Sequence, residues 1–331
     1  MKRHMICTAV GLALAVGAGA STAETTLRAS HQFPGGQGDP RDEMVQIIAR
    51  EVADAGVDLK IQVFPAQSLY KASEQWGALT RGQLDIAAFP LDYASGRVPQ
   101  FSITLMPGLV RNYEHAERLN RSDFMKDVKA LIEKQGVVVI ADAWLAGGFA
   151  SKKHCITAPD SIAGQVIRAA GPAFEQMLAA AGASISSMPS SEVYSAMQTG
   201  VLDAANTSND SFVSYRLYEL AKCLTAPGDN ALWFMYEPVL MSKKVFDRLE
   251  PAQREAMLAA GKKAEAYFTE EAKKGEQKMR DIYGKAGVEV VTMTPDQYQA
   301  WMDIAKKSSY VQFAEKVPGG QALLDKALAV Q

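Results

Sequence analysis

The chain has 331 residues, 48% of them hydrophobic and 22% charged, with a formal net charge of −2. That composition is ordinary for a globular protein and excludes an intrinsically disordered chain. At roughly 100–200 residues per domain the length suggests two lobes, and the lack of a basic excess removes the electrostatic footprint of a nucleic-acid partner.

In chain order, Lys2 and Arg3 precede a run over residues 6–20 that is apolar or small except for Thr8, and Ser21-Thr22-Ala23 fits a small-residue cleavage site. This reads as a secretory signal peptide over residues 1–23, cleaved near Ala23. The run is shorter than the ~20 residues of a membrane span. A short strand is expected at residues 27–29, then a helix opening at Asp39-Pro40 and ending at Gly56. A strand at 59–63, a helix at 72–81 stopped by Gly82, and strands at 84–88 and 137–140 follow. Strand–helix alternation of this kind implies a mostly parallel sheet covered by helices.

A second α/β unit starts near Trp144. Strands are expected at 166–167, 184–187 and 201–204, with helices at 173–181, 190–199 and 210–221. From residue 251 to about 283, Met257, Gly261, Ala264, Phe268, Ala272, Gly275, Met279 and Ile282 recur at spacings of three and four, one face of a single long helix. At ~1.5 Å per residue such a helix spans more than one lobe, so it braces both. The expected organisation is residues 24–143 plus 231–250 as lobe I and 144–230 as lobe II, with crossings near Ala143 and Asn230. The long helix takes 251–286, and a C-terminal segment, 287–331, packs on the lobes. The fold class is α/β, two-lobed, with a ligand cleft between the lobes.

Cys155 and Cys223 remain after removal of the leader. In an oxidising compartment an even pair reads as one disulfide; two buried thiols are the other reading. His31, His115 and His154 do not pair at a metal-ligand spacing, so no metal is expected. No nucleophile elbow, phosphate-binding loop or zinc-protease motif occurs. No catalytic residue and no cofactor is therefore named. Arg168 directly follows the apolar pair Val166-Ile167 and precedes Gly171-Pro172, which opens a helix. An arginine at the carboxyl end of a strand, next to a helix N-terminus, suits a two-pronged grip on a carboxylate. A surface arginine that merely ends a strand is the plain alternative.

Several strings together resemble the substrate-binding proteins of tripartite ATP-independent periplasmic (TRAP) transporters. They are Ile162-Ala163-Gly164-Gln165-Val166-Ile167-Arg168, Ala181-Gly182-Ala183, Met188 to Tyr194 (Met-Pro-Ser-Ser-Glu-Val-Tyr) and Met197-Gln198-Thr199-Gly200-Val201-Leu202-Asp203. Phe64-Pro65-Ala66-Gln67-Ser68-Leu69, Arg81-Gly82-Gln83-Leu84-Asp85 and the long helix extend the likeness over essentially the whole mature chain. The resemblance implies a periplasmic protein that is not an enzyme, captures a small organic anion and hands it to membrane permease subunits driven by an ion gradient. It also implies a monomer, with Arg168 gripping the ligand carboxylate and Asn206 as the polar residue beyond the last string. A second arginine common in the family is missing: Gly147-Gly148-Phe149-Ala150 stands in its place.

One cation and an aromatic surround suit a monocarboxylate with an apolar or aromatic body, such as a 2-oxo acid. Trp144, Phe149, Trp233, Phe234, Phe89 and Tyr93 lie near expected strand ends or crossings, and each could equally belong to the lobe cores. Gln32, Phe33 and Tyr70 are loop-tip candidates. A sugar acid or C4-dicarboxylate is the alternative ligand, and a periplasmic enzyme acting on a small organic acid is the alternative of another class.

Overall fold

The computed structural model describes residues 24–330, and the signal peptide read at 1–23 lies outside them. Strand β1 (Thr25–Ser30) leads to helix α1 (Pro40–Asp54). Asp39 caps this helix by accepting from the Arg41 amide, with Pro40 at its first position and acidic residues in its first turn. Then come β2 (Leu59–Phe64), α2 (Ala72–Arg81), β3 (Ile86–Ala88), α3 (Tyr113–Asn120), α4 (Asp123–Lys134) and β4 (Val137–Ala141). The second lobe contains β5 (Trp144–Ser151), β6 (Val166–Ala169), α5 (Pro172–Ala180), β7 (Ser184–Ser187), α6 (Val193–Gln198), β8 (Ala204–Ser208), α7 (Asn209–Ser214), β9 (Cys223–Ala226) and β10 (Trp233–Tyr236). The chain returns with β11 (Val239–Ser242) and α8 (Lys243–Phe246). It ends with α9 (Pro251–Lys285), β12 (Glu289–Thr292), α10 (Pro295–Ala305), α11 (Val311–Lys316) and α12 (Gly320–Leu328).

The first sheet has the order β2-β1-β3-β11-β4, with β11 antiparallel to both neighbours. The second runs β12-β9-β5-β8-β6-β7, and β10 pairs with the first half of β5. Two short segments therefore cross between the lobes, at Asp142-Ala143 and Glu237-Pro238, where the Glu237 amide donates to the Ala143 carbonyl at 2.8 Å, and α9 makes a third connection, to β12. The return crossing lies later than the sequence suggests. The polar turn at 227–230 only joins β9 to β10, and Trp233-Phe234-Met235-Tyr236, buried throughout, belongs to the second sheet.

Three other boundaries differ from expectation. Strand β8 begins at Ala204 rather than 201, because Gly200 adopts φ 82° and Val201 is 55% exposed, so residues 200–203 form a turn. The helix expected at 190–199 starts as a 3-10 turn, Ser190–Glu192. The one expected at 210–221 stops at Ser214, before Arg216 in the left-handed region.

Helix α9 runs as one element of 35 residues, packing on α1 and β4 of the first lobe and on α7, β9 and β12 of the second. Its buried stripe follows the expected small and apolar positions but closes on Tyr283 instead of Ile282. Gly261 is required by contact. A Cβ there would lie 2.0 Å from the Ile140 carbonyl oxygen, so only glycine lets α9 seat on β4. Cys155 and Cys223 form a disulfide with their Cα atoms 5.1 Å apart. Among the described residues no helix is long and apolar enough to cross a membrane.

Candidate ligand-binding site

Arg168, the penultimate residue of β6, lies at the interlobe seam and is 1% exposed. Its Nε donates to the Met188 carbonyl (3.0 Å), Nη1 to the Asn206 carbonyl (2.8 Å) and Nη2 to the Tyr93 hydroxyl (2.9 Å). A guanidinium carries five N–H groups, so two remain for other acceptors. Of the two fully buried arginines, Arg41 is paired with Asp39 at 2.7 Å, whereas no carboxylate of the described residues lies within 4.0 Å of Arg168. Burying a charge costs several kcal/mol unless it is paired; the buried carboxyl groups of Asp92 and Glu237 both feel the charge of Arg168, though neither lies within 4.0 Å of it.

Polar side chains without protein partners gather at this seam. Asn206 is fully buried, and both its amide oxygen and nitrogen lack a hydrogen-bond partner. Gln32 follows β1, and its Nε2 approaches the Tyr93 hydroxyl at 3.4 Å while its Oε1 has no partner. Tyr93 lies in a 3-10 turn just after β3, held edge-on by Phe89, and also accepts from the Ser190 amide at 3.0 Å. Its hydroxyl thus joins the first lobe to Arg168 and Ser190 of the second. Trp233 is 1% exposed with its indole N–H unpartnered.

The remaining expected residues are distributed differently. Phe149 stacks on Trp301 of α10 at 5.7 Å and lies opposite Asn206 in the sheet. Phe89 supports Tyr93 and stacks on Trp76. Trp144 stands apart: its indole donates to Asn120 at 2.8 Å and its ring packs on Tyr236, in the joint beside the crossings. Tyr70 is also apart, with its hydroxyl directed at the Gln83 carbonyl before β3, at the opposite end of the sheet from Gln32.

Sequence reasoning missed a second polar group at the seam. Arg41 of α1 is clamped by Asp39 and lies 3.9 Å over the Phe33 ring. It also reaches across to Ser211 (2.8 Å), Ser214 (3.1 Å) and Ser208 (3.3 Å) on and before α7. Burial works against its charge, but the ion pair with Asp39 outweighs burial and raises its pKa. The spacing of three between these serines was the available signal. Glu237, at the return crossing, lies 4.0 Å from Arg41; burial pushes its pKa up to about 8, against the opposing pull of Arg41. Asp92 is also buried and raised well above the carboxylate range by desolvation, and its Oδ2 occupies the space a side chain at Gly171 would need. Among the described residues the one grouping of three His, Cys, Asp or Glu donors is Cys155, Cys223 and Glu289, whose sulfurs are bonded to each other.

The profile described as "Bacterial extracellular solute-binding protein, family 7" matches residues 38–316. The chain belongs to this family. A relative, a solute-binding protein of Albidiferax ferrireducens, is 40% identical over 311 residues, covering 93% of this chain and 91% of the relative. A solved TRAP periplasmic solute binding protein from Rhodoferax ferrireducens, with bound malonate, matches with a TM-score of 0.88 and 40% identity, covering 91% of this chain and 96% of that one. Another from Sulfurospirillum deleyianum, with bound succinate, gives 0.84 and 26% identity over 94% and 100% of the two chains. This family 7 chain is accordingly a TRAP substrate-binding protein of transport and not an enzyme. Proteins of the family bind small organic anions and work with membrane permease subunits.

Proposed function

We propose that this protein captures a small monocarboxylate in the periplasm, with the carboxylate on Arg168 and a neutral oxygen of the same solute near Asn206. The observation that carries this reading is the buried Arg168, with no carboxylate of the described residues within 4.0 Å, among buried polar groups that lack partners. The lobes close through the Tyr93–Arg168 contact, and the ligand stabilises the closed population. Residues 1–23 direct export and are removed near Ala23, so the periplasmic protein begins at Glu24. A dicarboxylate is the second reading, favoured by malonate in the relative at 40% identity.

The test is calorimetric titration of the mature protein with 2-oxo acids, pyroglutamate, malonate and succinate, repeated on Arg168→Ala. Truncating one partner of a buried charge pair costs about 2–5 kcal/mol, a loss of roughly 30- to 5,000-fold in affinity. Affinity within threefold of wild type would place the carboxylate elsewhere. Tightest binding of malonate or succinate would favour the dicarboxylate.

A further inference from the structure

Three buried polar side chains share a sheet face with Phe149, which stacks on Trp301. In antiparallel pairs, opposed residues present their side chains to the same face of the sheet. Phe149 of β5 lies opposite Asn206 of β8 on one side and Thr225 of β9 on the other. Two residues along β5, on the same face, Gly147 lies opposite Trp233 of β10. A Cβ on Gly147 would lie 2.0 Å from the Thr207 carbonyl oxygen and 2.5 Å from the Trp233 ring, so the glycine admits both the neighbouring backbone and that indole. Trp301 of α10 covers the face by stacking on Phe149, at 5.7 Å between centroids with the planes 21° apart.

Asn206, Thr225, Trp233 and Trp301 are each at most 1% exposed, and the polar side-chain atoms of all four lack a partner. A buried polar group left without a partner is destabilising, and four at one face are not a feature of ordinary core packing. Their chemistry is narrow. Two indole N–H groups, one hydroxyl and one amide offer mainly donors, and none is charged. Such a set supplies hydrogen bonds to a carbonyl or hydroxyl oxygen, whereas a second carboxylate buried there would have no cation of the patch to pair with. Arg168 pairs with Ala205, so its stem leaves the other face of the sheet, but its Nη1 reaches the main-chain carbonyl of Asn206 at 2.8 Å, beside the patch.

We propose that this patch is the subsite that reads the uncharged, oxygen-bearing end of the solute, with Trp301 of the C-terminal segment as a specificity-determining residue. The inference rests on Arg168 holding the carboxylate. It makes helix α10, outside both lobe sheets, part of ligand selection.

The experiment uses matched acids that differ in one neutral oxygen: pyroglutamate against cyclopentanecarboxylate, and 4-hydroxybutyrate against butyrate. Affinities are measured by calorimetry on wild type, Trp301→Phe, which keeps a ring on Phe149, and Thr225→Val, which keeps the shape of the side chain. Melting temperatures are recorded alongside. The expected result is a preference of wild type for the oxygenated member of a pair. Each variant should reduce that preference by about 3- to 10-fold, the worth of one hydrogen bond, with the oxygen-free member unaffected. A preference retained in both variants, or absent in wild type, overturns the subsite. So does a Thr225→Val protein that gains stability and binds as before, which would leave only a satisfied or hydrated core. If acids bind and Arg168→Ala abolishes binding while these preferences stay put, the subsite alone fails. If no acid of the four binds, the carboxylate reading fails with it.

Discussion

The Asp39–Arg41 pair offers a quantitative test of what holds the seam together. Both side chains are at most 1% exposed, and two hydrogen bonds, Nε to Oδ1 at 2.9 Å and Nη2 to Oδ2 at 2.7 Å, join them. Arg41→Met keeps a long apolar side chain over Phe33 but leaves the Asp39 carboxylate buried without its cation. Breaking one partner of a buried pair costs about 3–5 kcal/mol, whereas replacing both is often neutral. At roughly 2 °C per kcal/mol for a chain of this size, Arg41→Met should lower the melting temperature by about 6–10 °C. The double variant Asp39→Asn/Arg41→Met should recover much of that loss. Arg41 also donates to Ser208, Ser211 and Ser214 across the seam. The single variant should therefore weaken ligand binding as well, because it removes contacts made only when the lobes meet. Differential scanning calorimetry of the four proteins of the cycle gives the coupling. If the two single effects add to the double within about 0.5 kcal/mol, the pair is not a unit and the reasoning is wrong.

Two further outcomes follow from buried chemistry elsewhere. Glu237 holds its proton up to about pH 8 when folded, because burial raises its pKa from an ordinary value of 4.5. The native state then binds more protons than the unfolded one between these values, so stability should fall as pH rises from about 4.5 to 8 and level off above. Melting curves from pH 5 to 9 should show this slope in wild type and a flatter one in Glu237→Gln; equal slopes would exclude Glu237 as the group. The disulfide closes a loop of 68 residues, worth about 4 kcal/mol in the chain-entropy account. A Cys155→Ser/Cys223→Ser protein should melt several degrees lower, and equal melting of oxidised wild type and variant would remove that contribution.

The legible part of this molecule is what local sequence specifies. Asp39, Pro40 and Gly82 mark helix ends because capping and left-handed geometry demand those residues, and α2 falls on its expected residues. The stripe of α9 is legible because burial repeats with the helical period. That Arg168 lies near the end of a short strand is legible from the apolar pair before it. What escaped is long-range. Asp39 reads as a cap, and nothing beside it announces that the carboxylate also clamps Arg41 or that Arg41 reaches three serines some 170 residues later. Trp301 sits in an unremarkable amphipathic helix, and only the folding of α10 back onto β5 brings it to Phe149. Trp144 and Tyr70 show the converse. Both stand near strand ends in the chain, but the sheets turn Trp144 into the joint and Tyr70 to the far edge.

The order of strands in the first sheet constrains how the chain can acquire its structure. Strand β11 sits between β3 and β4 and is the sheet neighbour that joins β4 to the rest. Ile86 pairs with Met241 across more than 150 residues of intervening chain, which includes all of β5 to β10. As the polypeptide is completed from its N-terminus, β1, β2 and β3 can associate early, but one edge of that ribbon waits. The second lobe can pair β5 through β9 from one contiguous stretch and lock it covalently through Cys155 and Cys223. Contacts of such long range are slow to form because loop-closure entropy must be met before they contribute. Completion of the first sheet therefore waits for β11, as the edge of β9 in the second waits for β12, and until β11 arrives the open edge of β3 is exposed to pairing with another chain.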